Sequence, residues 1–258
     1  MRFLALVLIT ACLAGGTGAA RAATQDRVYD LLGKWSCRTT DDATATQLYV
    51  RAPDEITFVD NVTPRRLPAY SVQGRMQTDA VTGGWSVTMP VNAVFGFHGT
   101  APPWNATSWA ADGYALPPAQ PVALRERYEL LDANAYRRVF ERTTATGTSV
   151  VAGEVCRRGD APPPADTCIV PDLPGATLRA ASPKITPEMQ RAHVNGTVYV
   201  AVSLDASSAV TATRISSSPS TLLDRAALDA AQASVFRTAV RDCKPVAQEF
   251  LFGVTFAD

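Results

Sequence analysis

Few side chains in this sequence could do chemistry: two histidines, five cysteines and two adjacent acidic pairs stand out. His98 lies in the stretch Phe95-Gly96-Phe97-His98-Gly99-Thr100-Ala101-Pro102-Pro103-Trp104-Asn105, which continues to Trp109 and reads as a long Gly, Pro and aromatic loop. No partner stands at motif spacing from His98, so it is the only suggestive group for an enzyme and a hydrogen-bonded loop histidine is the simpler reading. Asp41-Asp42 and Asp54-Glu55 fall in polar, turn-like segments, where solvation accounts for them. Gly-x-Ser-x-Gly, His-Glu-x-x-His and a phosphate loop are all missing from the sequence. The expectation is therefore a non-enzyme with no catalytic residues, no cofactor and no metal.

The cysteines carry more information. Residues 1–22 read as an export signal: Arg2 supplies the charge, Phe3 to Ile9 and Ala11 to Leu13 the apolar run, and Ala20-Arg21-Ala22 the cleavage site. The run is well short of the ~20 residues that span a bilayer, so no transmembrane span is expected in the mature chain. Ile9-Thr10-Ala11-Cys12 also resembles a lipobox, which gives a lipoprotein anchored through Cys12 as the alternative to a periplasmic or secreted protein. Export leaves Cys37, Cys156, Cys168 and Cys243, which allow three disulfide connectivities in an oxidising compartment. Their long spacings do not suit a metal site. Between Cys156 and Cys168 runs Arg-Arg-Gly-Asp-Ala-Pro-Pro-Pro-Ala-Asp-Thr, an extended linker. With a domain boundary there, Cys37 pairs with Cys156 and Cys168 with Cys243, one bond per domain.

Those cysteines are positioned by two expected domains: a β-rich unit at residues 24–158 and a second unit at 168–258, joined by a proline-rich linker at 159–167. With 47% hydrophobic and 19% charged residues the chain is globular. Its 24 basic and 24 acidic side chains cancel, which speaks against nucleic acid or an anionic membrane as partner.

In the first unit, a helical turn at Arg27 to Leu32 precedes Gly33-Lys34-Trp35-Ser36-Cys37. Strand character then follows at Thr46 to Arg51, Glu55 to Val59, Ser71 to Met76, Trp85 to Met89, Val122 to Leu131, Ala135 to Thr143 and Thr148 to Cys156. Turn-rich gaps separate them, and Leu124, Tyr128 and Leu130 share one face while Arg125, Arg127 and Glu129 face water. An all-β antiparallel barrel or half-barrel results. Gly33-x-Trp35 resembles the opening of a lipocalin-like barrel, whose tryptophan packs across the closed end. That resemblance implies a pocket for a small apolar ligand; the simpler reading, preferred here, is that Trp35, Trp85 and the other aromatics fill a small core.

The second unit has a clearer pattern. Thr186 caps a short helix with Pro187 in its first position, and Asn195-Gly196 stops it. Val198, Val200, Val202 and Leu204 alternate along a strand, Asp205 to Ser208 turn, and Val210 to Ser216 return antiparallel. Leu222, Leu223, Ala226, Ala227 and Ala230 recur at helical spacing, and Val246 to Phe256 alternates again. The expected fold is α+β, a three-stranded antiparallel sheet with two helices on one face.

Gly196 before Val198-x-Val200-x-Val202, the serines at 216–218, Leu223-Asp224-Arg225-Ala226-Ala227-Leu228 and the aromatic strand Phe250 to Phe256 arrive in one order. In that order residues 165–258 resemble the C-terminal domain of TonB-family proteins. Asp242-Cys243-Lys244-Pro245-Val246 resembles a cysteine-bearing subset of such domains, which supports Cys168 with Cys243. The resemblance implies protein recognition: a periplasmic domain that pairs with a second copy or with a TonB-dependent outer-membrane transporter, taking an extended peptide as an added strand. The candidate edge is the last strand, with Val246, Gln248, Phe250, Phe252, Val254 and Phe256. A TonB energy transducer has an uncleaved membrane anchor and a long proline-rich span, whereas a cleaved signal and a short linker are expected here. The chain is thus expected to be an exported binding module rather than a force transducer.

Overall fold

The computed structural model describes residues 26–90, 96–115 and 122–257. The proposed signal segment and Cys12 lie outside the described residues. Ten strands form the N-terminal part: β1 (Gly33–Thr39), β2 (Ala43–Arg51), β3 (Glu55–Pro64), β4 (Tyr70–Thr78), β5 (Trp85–Met89), β6 (Phe97–Ala101), β7 (Ser108–Ala115), β8 (Val122–Asp132), β9 (Ala135–Thr144) and β10 (Gly147–Arg158). Each pairs antiparallel with its neighbour in sequence, and β10 returns to β1, so the sheet is a closed barrel. Closure removes both sheet edges, and the inward residues bury their apolar surface against each other across the interior.

One end of the barrel is plugged. A 3-10 helix at Arg27–Leu31 lies there, with Val28 and Leu31 fully buried. Trp35 Nε1 donates to the carbonyl of Leu31 at 2.7 Å, and the Arg158 guanidinium stacks 4.2 Å over the Trp35 ring. Arg158 also donates to the carbonyls of Asp30 and Leu32, so one side chain ties the plug to the seam strand. Trp35 therefore lies across the closed end, as the Gly-x-Trp pattern implied, although the barrel has ten strands rather than the eight of lipocalins.

The stretch read as a long loop is corrected: Phe97–Ala101 and Ser108–Ala115 are wall strands, with a short connection around Pro102 to Thr107. The glycines that suggest a loop are close-packing positions instead. A Cβ at Gly99 would lie 2.5 Å from the Phe97 ring, and one at Gly113 would lie 2.0 Å from the carbonyl oxygen of His98. Trp104 and Trp109 stack at 5.5 Å within the plug, with Trp109 Nε1 on the carbonyl of Pro102. His98 is exposed on the outer wall, its Nδ1 3.1 Å from Thr88 Oγ1.

The C-terminal part begins on the barrel's outer surface, where Ile169, Val170 and Leu173 pack on Val139 and Val155. It contains β11 (Ala176–Arg179), α1 (Pro187–Ala192), β12 (Gly196–Leu204), β13 (Val210–Ser217), α2 (Thr221–Ala233), β14 (Val235–Arg237), β15 (Ala239–Arg241), β16 (Lys244–Val246) and β17 (Gln248–Phe256). Thr186 Oγ1 accepts from the N–H of Met189, capping α1 as expected, and His193 ends that helix at φ 47°. The main sheet has the order β13-β12-β17, all antiparallel. Val198, Val200, Val202 and Leu204 are buried with Leu223, Ala227 and Ala231 of α2, whose small side chains let the helix lie close to the strands.

Val246 does not belong to the last strand. Asp242 and Cys243 both have positive φ and fold β15 back on β16, so Val246 closes this small hairpin and the chain restarts at Gln248. The pair β11 and β14 adds a second small ribbon beyond the expected elements.

Two disulfides staple these parts. Cys37 and Cys156 are direct register partners across the β1–β10 seam, with Cα atoms 4.0 Å apart and both side chains fully buried. Cys168 and Cys243 join the segment after the barrel to the β15–β16 turn, with Cα atoms 5.2 Å apart and Cys243 exposed.

Candidate functional site

Inside the barrel, alternation sends one polar residue from each of five strands to the same height. On β3 the inward residues are Ile56, Phe58, Asp60 and Val62; on β8 they are Leu124, Glu126 and Tyr128. Register does the rest, placing Gln47 opposite Asp60 and Arg138 opposite Glu154. All five polar residues, on β2, β3, β8, β9 and β10, are at most 5% exposed.

Arg138 is the hub. Its Nη2 donates to Asp60 Oδ2 at 2.6 Å, its Nε lies 2.5 Å from Glu154 Oε1, and its Nη1 reaches Glu126 Oε1 at 3.5 Å. Gln47 Nε2 donates to Glu154 Oε1 at 2.6 Å, Tyr136 donates its hydroxyl to Gln47 Oε1, and the Tyr128 hydroxyl donates to Glu126 Oε1 at 2.9 Å. Asp60 Oδ1 and Glu126 Oε2 have no hydrogen-bond partner among the described residues. Three carboxyl groups therefore face one guanidinium in a buried layer.

Burial pushes the carboxyls of Asp60, Glu126 and Glu154 upward against the pull of Arg138, Glu126 from 4.5 to about 7. The same burial raises the phenols of Tyr49, Tyr128 and Tyr136, and the facing carboxylates hold Arg138 firmly protonated. Because Glu126 binds its proton more tightly folded than unfolded, its cost to stability is absent below pH 4.5, grows between 4.5 and about 7, and is constant above that. Glu126→Gln should accordingly stabilise the barrel by about 3 kcal/mol at pH 8 and by nothing measurable near pH 4. Urea unfolding at the two pH values checks this, and an equal effect at both would contradict it.

This polar layer is the floor of a cavity of about 730 Å³ on the side away from the Trp35 plug. Ala43, Val62, Val72, Met89, Leu124 and Phe140 form apolar walls, and Asp60, Arg138 and Glu154 lie at its inner end. The C-terminal part reaches the same cavity: residues 176–178 and Arg237 line it. Arg237 Nη1 lies 2.5 Å from Asp41 Oδ1 and its Nη2 donates to the carbonyls of Val151 and Pro174. Arg66, on the barrel side, donates to the carbonyls of Ser208 and Phe236 at 2.8 and 2.7 Å.

The second candidate site is the sheet edge. In the order β13-β12-β17, β17 has a strand partner on one side only among the described residues. Of the residues expected there, Phe252, Val254 and Phe256 are buried under α2 and Gln248 and Phe250 are half-buried, whereas Val246 lies in β16. Their side chains build the core, so the β17 edge offers its main chain, with Leu251 58% exposed on the opposite face near Tyr199.

The charged layer is the feature that reading the sequence missed. The signal was available, since Asp60 continues the Ile56, Phe58 alternation and Glu126 stands between Leu124 and Tyr128 on the face assigned to the interior. Of the ion pairs on the outer wall, Arg127 with Glu141 and Arg137 with Glu129 sit where alternation places them.

Residues 183–257 match the family model described as Gram-negative bacterial TonB protein C-terminal. No curated protein matches the chain.

Proposed function

Because residues 183–257 are a TonB-type C-terminal domain, we propose that this chain is a cell-envelope protein whose C-terminal sheet recognises other proteins in outer-membrane transport. It accepts an extended segment of an outer-membrane transporter, or the same strand of a second copy, along β17. The observation that carries this is that β17, in a domain matching this family, has no strand partner on its outer side among the described residues. An edge strand presents unpaired N–H and C=O groups, so an incoming strand gains a ladder of main-chain hydrogen bonds. Two disulfides fit an oxidising periplasm, and among the described residues no helix is long and apolar enough to cross a membrane.

Titration with a peptide from the periplasm-facing segment of an outer-membrane transporter of the same genome should shift the amide resonances of β17 and leave those of β4 unmoved. Leu251→Lys should weaken that binding about fivefold, since the half-exposed leucine would lose about 1 kcal/mol of apolar burial. If neither the peptide nor a second copy perturbs β17, strand addition is not its job.

A second reading rests on the barrel. A cavity of about 730 Å³ with mostly apolar walls is the size that encloses a small organic molecule, which favours a carrier or sensor of such a ligand over a filled core.

A further inference from the structure

The carrier reading leaves open which chemistry the cavity selects, and the inference that follows rests on that reading. Asp60 is 3% exposed and lines the cavity; its Oδ2 is held by Arg138, while Oδ1 has no hydrogen-bond partner among the described residues. A buried acceptor left unmet is costly, and more so when it is charged, so a ligand that supplies a donor is favoured over one that does not. The balance of charged groups points the same way. At the cavity's inner end Asp60 and Glu154, together with the adjoining Glu126, share the single guanidinium of Arg138, so acidic groups outnumber basic ones there three to one.

The cationic groups of the cavity do not offer a comparable site for an anion. Arg237 is engaged with Asp41 and two carbonyls, and Arg66 with two carbonyls. Arg142 is exposed, so its charge is hydrated and screened. A carboxylate head would also have to approach Asp60 and Glu154 if its apolar body filled the cavity.

We propose that the barrel binds a small amphipathic amine, its apolar body along Val62, Val72, Met89, Leu124 and Phe140 and its ammonium group at the Asp60 carboxyl group, with Glu154 beside it. The ammonium is the group that meets both deficits at once, providing a donor and a positive charge; an alcohol meets only the first.

Calorimetric titration of the full chain with octylamine, octanol and octanoate, matched in chain length, tests this. Octylamine should bind at least tenfold more tightly than octanol, and octanoate should bind most weakly. Asp60→Asn should lower octylamine affinity at least tenfold while octanol affinity stays within twofold, which shows that the variant still has its cavity. Equal affinities for the three probes, tightest binding of octanoate, or an Asp60→Asn variant that keeps full amine preference would each overturn the proposal while leaving a ligand carrier in place. Binding of none of the three would remove the carrier reading along with it.

Discussion

Arg138→Met should destabilise the barrel by about 3–5 kcal/mol at pH 7, the largest effect expected of any single side chain in the interior. Removing the guanidinium leaves Asp60, Glu126 and Glu154 buried without a cation, and each is already displaced upward by burial. Without Arg138 those carboxyls hold their protons still more tightly in the folded state, so the loss should be greatest at pH 8 and should shrink steadily as pH falls toward 4. All four tryptophans, Trp35, Trp85, Trp104 and Trp109, lie in the barrel, so their fluorescence during urea unfolding reports on that part of the molecule.

A companion variant separates the charge argument from simple packing. Replacing the network together, as Arg138→Met with Asp60→Leu, Glu126→Leu and Glu154→Leu, removes the uncompensated charges as well as the cation. Such replacements are often neutral or stabilising, because the desolvation cost disappears along with the attraction. Most of the stability lost in the single variant should therefore return, and the pH dependence should flatten. If the combined variant were as unstable as Arg138→Met at every pH, the network would be supporting the barrel by geometry rather than by charge balance. A stable, pH-insensitive combined variant would instead imply that the network is present for a ligand and not for the fold, which is the role the cavity suggests.

How much of this was legible in the sequence depends on the range over which each feature is determined. The strict alternation at Val198 to Leu204 and the alanine stripe of α2 are local, and both elements lie where their periodicities put them. Phe97 to Ala101 and Ser108 to Ala115 are hidden because glycine reads as a breaker, whereas Gly99 and Gly113 are the positions at which a neighbouring ring and a neighbouring carbonyl crowd the strand. Alternation alone assigns Val246 to the last strand, because the hairpin at Asp242 and Cys243 that separates it depends on two consecutive positive φ values at residues that are not glycine. The charged layer is a different case. Alternation along β3 and β8 marks Asp60 and Glu126 as inward, but their meeting with Arg138 and Glu154 requires the register of five strands, and that register is fixed by closure of β10 on β1. The cavity follows from that closure and from Arg237, nearly two hundred positions from its partner Asp41, so it has no local signature.

The seam itself sets the second large effect. Every other strand pair of the barrel is a connection between sequence neighbours, whereas β1 and β10 bring together residues 119 positions apart, and Cys37–Cys156 lies directly across that junction. Cross-linking a loop of that length lowers the entropy of the unfolded chain most, so Cys37→Ala with Cys156→Ala should cost the barrel about 3–5 kcal/mol by tryptophan-monitored urea unfolding. Cys168→Ala with Cys243→Ala should shift the same transition far less, because that bond ties the outer segment to the β15–β16 turn and links no two barrel strands. Accessibility gives an independent readout. Cys37 and Cys156 are fully buried and Cys243 is exposed, so mild reductant on the folded protein should open Cys168–Cys243 first and leave the seam bond intact until the barrel unfolds. Mass spectrometry after alkylation distinguishes the two pairs. Simultaneous reduction of both, or a tryptophan transition indifferent to loss of the seam bond, would mean that the ladder between β1 and β10 closes the barrel without help from the disulfide.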